Sequence, residues 1–185
     1  MAYCNCGVVY MEKGEYNKAV NEYDKALEIE PKLAIALVSR ASIYVFLGDT
    51  EKAICDCDRA LEIDPNVLEA YNNRGLAYLH INSTDMAISD FNMALLLKPD
   101  TIMAKNNRGF AFIIKEDYFN AIADFDEVIH LKPDFAQAFY GRGIVHQSRG
   151  DVKLADADFE KAIELNPGLK MDIETYKASL LEPKC

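Results

Sequence analysis

The sequence contains no tryptophan and few residues that interrupt regular structure. Its 185 residues include 9 glycines and 6 prolines, too few for a collagen-like chain or a flexible linker protein. Apolar residues make up 50% of the chain, and 10 tyrosines and 9 phenylalanines supply bulky rings. This amount of hydrophobic material excludes a disordered tail and predicts a packed interior.

Basic residues are also scarce relative to acidic ones. The chain has 20 lysines and arginines against 30 aspartates and glutamates, which gives a net charge of −10 at pH 7. A charge of this sign repels phosphate backbones and anionic lipids. We therefore expect neither nucleic acids nor membrane surfaces as partners.

No targeting or membrane-spanning segment is recognisable. The first residues lack a basic segment followed by an apolar one. The most apolar stretch, residues 33–47, is interrupted by Arg40 and is too short to span a bilayer. The odd number of cysteines lacks the spacing of a secreted disulfide framework, which favours a reducing, cytoplasmic location. These cysteines are Cys4, Cys6, Cys55, Cys57 and Cys185.

Five prolines follow one another at equal intervals of 34 residues: Pro31, Pro65, Pro99, Pro133 and Pro167. Three further columns keep the same register. An alanine column holds Ala19, Ala53, Ala87, Ala121 and Ala155. An aromatic column holds Tyr23, Cys57, Phe91, Phe125 and Phe159. A glycine column holds Gly7, Ala41, Gly75, Gly109 and Gly143. Successive equal intervals of this kind indicate an internal structural repeat.

The period and its columns of small and aromatic residues resemble the tetratricopeptide repeat (TPR). The resemblance covers residues 1–169 as five repeats, at 1–33, 34–67, 68–101, 102–135 and 136–169, and leaves 170–185 as a C-terminal capping helix and tail. It implies an all-α fold, a right-handed alpha-alpha superhelix built from pairs of helices. Neither helix of a pair buries its apolar side alone, so neighbouring pairs must stack.

The second repeat shows how the residues specify two helices. Apolar residues at helical spacing predict a first helix over residues 34–47. Gly48 then ends this helix, because glycine accepts the left-handed conformation. A second helix is predicted over 50–63, and Pro65 prevents its continuation. Glu116 departs from this pattern, since it stands where other repeats have glycine or asparagine.

The two ends of the array differ. Residues 170–182 predict one more helix, with an apolar side turned inward. The first helix begins at Met1 without a capping residue, so we expect a segment of a longer array or protein. We also expect that the first repeat is able to associate with another copy of the chain.

The sequence shows no pattern of catalytic or metal-binding residues. The three histidines occupy different positions of different repeats, and no nucleophile elbow, zinc-protease, P-loop or dinucleotide motif occurs. His146 replaces a ring, which predicts a packed core residue. Two cysteine pairs are two residues apart and point to different sides of a helix: Cys4 with Cys6, and Cys55 with Cys57. We predict no catalytic residue, no metal site and no cofactor.

Arginine recurs where the family usually has a large apolar residue: Arg40, Arg74, Arg108 and Arg142. Half-buried guanidinium groups need carboxylates. An acidic column offers them: Glu22, Asp56, Asp90, Asp124 and Asp158. We predict structural ion pairs, in which the partner of Arg40 is either Asp56 of the same repeat or Glu22 of the preceding one. The alternative places the arginines at the floor of a groove, available to an acidic ligand.

In TPR proteins the first helices line a concave groove, and the resemblance implies a peptide-binding site there. The predicted groove residues are Asn5, Ile35, Val38, Ser39, Glu69, Asn72, Asn73, Leu76, Met103, Asn106, Asn107, Phe110, Tyr140 and Ile144, with Phe46 and Ile114 in or beside the groove. The asparagines resemble the ladder of O-linked N-acetylglucosamine transferases, whose amides hold the main chain of a peptide. Ser39 and Gly141 interrupt this ladder. The apolar members indicate a binding surface, or else they pack between repeats.

The expected function is a non-catalytic adaptor or scaffold that binds a peptide segment of a partner protein in this groove. One alternative is a regulatory or substrate-recruiting module of a larger protein or enzyme complex. A weaker alternative is an RNA-binding helical repeat, which predicts a basic groove. The residues with which chaperone-binding members hold a C-terminal carboxylate are absent, which disfavours a heat-shock co-chaperone.

Overall fold

A computed structural model describes residues 1–180 of the chain. The end of the predicted last helix and Cys185 lie outside the described residues. Within residues 1–180 the regular structure is helical throughout, without a strand. The predicted all-α fold of stacked helix pairs is therefore confirmed. No helix in this part of the chain is long and apolar enough to cross a membrane.

Contacts divide the chain into two compact units, of which the first is Met1–Thr101. Unit 1 contains six helices in three pairs: α1 (Ala2–Glu12) with α2 (Tyr16–Ile29), α3 (Ala34–Leu47) with α4 (Thr50–Ile63), and α5 (Leu68–His80) with α6 (Thr84–Leu97). Each pair packs on the next, since α2 contacts α3 and α4 contacts α5, and α3 also lies beside α5. The predicted helices over residues 34–47 and 50–63 are confirmed as α3 and α4.

Unit 2 begins at Ile102. It contains two helix pairs and a final helix: α7 (Ile102–Ile114) with α8 (Tyr118–Leu131), α9 (Ala136–Ser148) with α10 (Val152–Leu165), and α11 (Lys170–Ser179). A short 3₁₀ turn, Pro167–Leu169, joins α10 to α11. The final helix packs inward through Ile173, which is buried in the same cluster as Phe159. The apolar side predicted for this helix is turned to the core at Ile173 and Tyr176, whereas Leu180, predicted to point inward, follows the end of the helix and is 46% exposed.

The glycine and aromatic columns meet inside each helix pair. A Cβ atom placed on Gly75 would lie 2.6 Å from Cε1 of Phe91, closer than real Cβ contacts. The second repeat has the opposite combination, because Ala41 and the smaller Cys57 share its buried cluster. The residue in the glycine column and the residue in the aromatic column thus differ together in size, with glycine facing a ring and alanine sharing a cluster with a small thiol.

The turns within helix pairs use the left-handed backbone conformation. Gly14, Gly48 and Gly150 have φ values of 71°, 79° and 83°. Glu116 takes the same conformation with φ of 58°, as does Asn82. The turn geometry is thus conserved between repeats even where the residue is not glycine, which places a steric cost on Glu116.

Candidate functional site

The predicted groove residues, together with Phe46 and Ile114, lie on the first helices of the pairs. Those up to Leu76 are called the first-helix face of unit 1. Those from Met103 onward are called the first-helix face of unit 2. In unit 1, α3 exposes Ile35 and Phe46, whose relative exposures are 58% and 67%. Asn5 is also exposed, and Ser39 is half-buried. Val38, by contrast, belongs to the hydrophobic core of the unit. The α3 part of this face thus offers two large apolar side chains to solvent.

The α5 part of the same face is polar. Glu69 is exposed, and Asn72, Asn73 and Leu76 are half-buried. Asn73 Nδ2 donates a hydrogen bond of 3.3 Å to the main-chain oxygen of Val38. One amide of the predicted ladder therefore links two neighbouring first helices, and its Oδ1 and second Nδ2 hydrogen remain for a ligand.

The first-helix face of unit 2 is more apolar and more aromatic. Met103 and Ile114 are 51% and 59% exposed. Phe110 and Tyr140 are half-buried neighbours with ring centroids 6.2 Å apart, and Ile144 is also half-buried. These side chains form a surface suited to apolar and aromatic groups.

The two asparagines predicted on α7 are not displayed at the surface. Asn106 and Asn107 are only 5% and 8% exposed. The amide ladder therefore does not continue as an exposed row through unit 2. The burial of these asparagines could not be predicted, because the sequence pattern of a helix does not indicate whether a neighbouring element covers a given residue.

The charge on this face is unusual for a chain with 20 basic residues. At the predicted groove positions and their equivalents in the five repeats, the sequence has two acids, Glu12 and Glu69, and neither lysine nor arginine. The face is thus neutral to weakly acidic. It does not match a polyanionic ligand.

Each arginine of the arginine column is held by an aspartate of its own repeat. Arg40 donates from Nε and Nη2 to the two carboxylate oxygens of Asp56, both at 2.7 Å. The same pairing joins Arg74 with Asp90, Arg108 with Asp124, and Arg142 with Asp158. Planar guanidinium groups suit this two-point geometry.

The preceding repeat supplies a second carboxylate, and it is not Glu22. Arg40 Nη1 donates to Asp24, whereas Glu22 accepts from Lys25 Nζ at 2.7 Å. The predicted alternative of Glu22 as partner of Arg40 is therefore wrong. Residues two apart on a helix face different sides, so of these two acids only Asp24 reaches α3. In the same way Arg74 Nη1 donates to Asp58 Oδ1 and Arg142 Nη1 donates to Asp126 Oδ1, both at 2.5 Å.

These carboxylates occupy the guanidinium groups that an acidic ligand would need. The hydrogen bonds that Arg40 donates to Asp56 and Asp24 raise its pKa, whereas burial lowers it. Arg40 borders a surface cavity of about 560 Å³ between α2 and α4. Acids and bases line that cavity in balance: Asp24, Glu28 and Asp56 against Arg40, Lys52 and Arg59. The arginines therefore act in structural ion pairs.

The cysteines of the described part of the chain differ in burial. Cys4 and Cys57 are buried, Cys6 and Cys55 are exposed, and all four are free thiols. Burial raises the pKa of Cys57 to about 12, which keeps this thiol protonated and unreactive. Residues 1–180 contain no group of three or more potential ligands arranged for a metal ion.

Models described as tetratricopeptide repeat match residues 34–67, 57–89 and 136–169, and a model described as TPR repeat matches residues 7–48. No match was found among curated protein sequences.

Several solved structures share the fold. TTC0263, described as a thermophilic TPR protein in Thermus thermophilus, is 21% identical with a TM-score of 0.81, covering 97% of both chains. MamA is 25% identical with a TM-score of 0.73, covering 88% of this chain and 95% of that chain. YrrB, described as a TPR protein with an unusual peptide-binding site, is 22% identical with a TM-score of 0.70, covering 95% of this chain and 90% of that chain.

Proposed function

The chain belongs to the tetratricopeptide repeat family, a family of protein-interaction modules that are generally non-catalytic, and we propose that it is an adaptor that binds a peptide segment of a partner protein. The binding surface in this proposal is the first-helix face of each unit. Apolar side chains of the peptide contact the exposed apolar residues, and its main chain contacts the amides.

The observation that carries the proposal is the exposure of large apolar side chains on the first helices. Ile35, Phe46, Met103 and Ile114 are each 51–67% exposed. Burying such side chains removes apolar area from water, at about 25 cal/mol for each Å². An exposed set of this kind favours a binding surface over a purely solvated one.

The amides have a smaller part than the sequence suggested. Asn5 is exposed, and Asn73 is half-buried on the face of unit 1 with its Oδ1 as an acceptor. Such groups are able to pair with the main chain of an extended peptide without reading its side chains. Peptide specificity then comes from the apolar contacts.

The alternatives are less well supported. An RNA-binding repeat needs cations facing the ligand, but the groove positions hold none and the arginine column is occupied by aspartates. A regulatory or substrate-recruiting module of a larger protein would use the same peptide-binding face, so it is a different context for one activity. Free thiols at Cys4, Cys6, Cys55 and Cys57 support a reducing, cytoplasmic location.

The test compares apolar residues on and off the face. Peptides selected from a phage-displayed library against the full chain are synthesised with a fluorescent label, and their affinities are measured by anisotropy. Phe46→Ser and Met103→Ser are expected to weaken binding about tenfold, because each removes a contact of about 1–2 kcal/mol. Phe119→Ser is the matched control, since Phe119 is 82% exposed on the second helix α8.

Two results would contradict the proposal. The first is a library that yields no binding peptide. The second is a selected peptide whose affinity falls as much with Phe119→Ser as with the variants on the face. Circular dichroism of each variant checks that its helices are retained.

A further inference from the structure

The first-helix face of unit 2 ends at a group of aromatic rings. Tyr140 of α9 lies 6.3 Å from Phe159, and Phe159 lies 6.1 Å from Tyr176 of α11, measured between ring centroids. Tyr140, Ile144 and Tyr176 pack against one buried cluster and remain partly exposed. The two tyrosines therefore border one patch of surface, with Phe159 beneath them.

A carboxylate lies one helical turn before Tyr176 on α11, on the same side of that helix. Asp172 is exposed on α11 and makes no hydrogen bond or ion pair among the described residues. Burial raises the pKa of the Tyr140 hydroxyl, and the negative charge of Asp172 raises it further. Asp172 is four residues from Tyr176, and the rings of Tyr176 and Tyr140 both lie near that of Phe159, so the carboxylate belongs to the same part of the surface.

Two lysines of α11 are already paired with carboxylates. Lys177 lies 5.1 Å over the ring of Phe159, but its Nζ is paired with Asp156 at 2.6 Å. Lys170 pairs with Glu174 at 3.9 Å. The patch therefore combines π faces and a carboxylate, both of which attract cations.

We propose that this patch binds a basic side chain of the partner peptide, with the cation placed over Tyr140 and beside Asp172. The inference rests on the proposed peptide-binding function and adds the chemistry of the partner. An apolar side chain of the same peptide packs on Phe110, whose ring is 6.2 Å from that of Tyr140. The occupant is thus a segment in which a lysine or arginine accompanies an apolar residue.

Charge complementarity supports this occupant over others. The chain carries −10 overall, and its groove positions contain acids but neither lysine nor arginine. An acidic segment would meet repulsion at Asp172, and the described lysines of α11, Lys170 and Lys177, are already paired with carboxylates. A purely apolar segment would leave Asp172 partly desolvated and unpaired.

The first experiment determines which residues the face selects. A phage-displayed library of random decapeptides is selected against the full chain, and the enriched sequences are aligned. We expect lysine or arginine to be enriched at one position next to an apolar residue. Binders without a basic position would overturn this inference and leave the proposed function standing, whereas a library without binders would overturn both.

The second experiment locates the cation by a double-mutant cycle. The enriched peptide is compared with a version that has norleucine in place of its basic residue, against the wild-type chain and Asp172→Asn. Loss of the carboxylate is expected to lower the affinity of the basic peptide about threefold, as for an exposed charge pair. The norleucine peptide should bind both chains equally. Equal loss for the two peptides would overturn the assignment.

Glu174→Gln is the matched control for net charge. It removes one carboxylate from the same exposed helix, two residues from Asp172, so any long-range charge effect is reproduced. We expect the basic peptide to bind this variant within about twofold of wild type, since an exposed charge away from the site contributes little. A loss as large as that of Asp172→Asn would show that overall charge, and not a site at Asp172, favours the basic residue.

Discussion

Unit 1 and unit 2 repeat the same packing columns but display different surfaces. Both hold their arginines with aspartates, as Arg40 with Asp56 and Arg142 with Asp158 show. Their first-helix faces differ, because α5 of unit 1 presents asparagines and Glu69, whereas unit 2 presents Phe110 and Tyr140. The packed columns are constrained by the neighbouring helix, while a face without such a neighbour is free to vary. The difference therefore distinguishes residues that are needed for packing of the repeat from residues that vary on its surface.

The largest expected effect comes from the buried aspartates that both units share. Asp56→Asn leaves the half-buried guanidinium of Arg40 without its two-point partner and is expected to cost about 3 kcal/mol of unfolding free energy. The side chain of Asp56 is 4% exposed, and that of Asp24 on the same arginine is 44% exposed. We therefore expect Asp24→Asn to cost less than about 1 kcal/mol. Urea unfolding followed by circular dichroism measures both.

Unit 2 provides the parallel pair. Asp158→Asn should destabilise the protein more than Asp126→Asn, since the Asp158 side chain is 9% exposed and that of Asp126 is 53% exposed. Equal costs within either pair would mean that the two carboxylates on an arginine contribute alike. That result would remove the distinction between the own-repeat and preceding-repeat partners.

An intermediate effect is expected where the glycine and aromatic columns differ between units. Cys57→Phe introduces a ring opposite Ala41 and should destabilise unit 1 by about 2 kcal/mol through overpacking. Adding Ala41→Gly should recover much of this loss, because the pair then matches Gly109 and Phe125 of unit 2. Thermal unfolding of the single and double variants measures the recovery. A double variant no more stable than Cys57→Phe alone would contradict the matching.

The reverse change in unit 2 is the control for that exchange. A Cβ atom added at Gly109 would lie 2.8 Å from the ring of Phe125. Gly109→Ala is therefore expected to destabilise by about 2 kcal/mol. If it is tolerated without loss, ring size does not determine the residue in the glycine column.

The smallest effect is expected at the turn that differs between the units. Glu116 of unit 2 has φ of 58°, where Gly14 and Gly48 of unit 1 have 71° and 79°. Glu116→Gly should stabilise the protein by about 0.5 kcal/mol, since relief of the left-handed strain exceeds the added chain entropy. Gly48→Ala should destabilise it. Denaturant midpoints of the two variants measure these shifts, and a lower midpoint for Glu116→Gly would contradict the expectation.

The fold was predictable because the same apolar spacing and the same helix-ending residues recur in successive repeats. The bounds of α3 and α4 follow from apolar spacing, from Gly48 and from Pro65, all within one repeat. The spacing in the sequence allows either Asp56 of the same repeat or Glu22 of the preceding one as partner of Arg40, and the structure shows Asp56. The preceding-repeat partner Asp24 was missed. Its signal was the spacing of two acids around the aromatic column, which places one acid on each side of the helix.

The candidate site was less predictable than the fold. Ile35 and Met103 are exposed as the groove prediction required, but Val38 and Asn107 are buried. The sequence did not predict that Tyr176 lies near Tyr140 and Phe159, because α11 lies outside the repeat register. Repeat periodicity describes positions along the chain and contains no information on an element that the period does not include.

The helix pairs, their turns and the residues that pack inside each repeat followed from the sequence, because these depend on neighbours within one 34-residue period. The three-dimensional arrangement was needed to show which carboxylate reaches each arginine, which asparagines remain open to solvent, and that the rings of Tyr140 and Tyr176 both lie near that of Phe159. Those relations depend on how far one helix is rotated against the next. Small rotations summed over stacked helices set them, and a sequence pattern does not record such rotations.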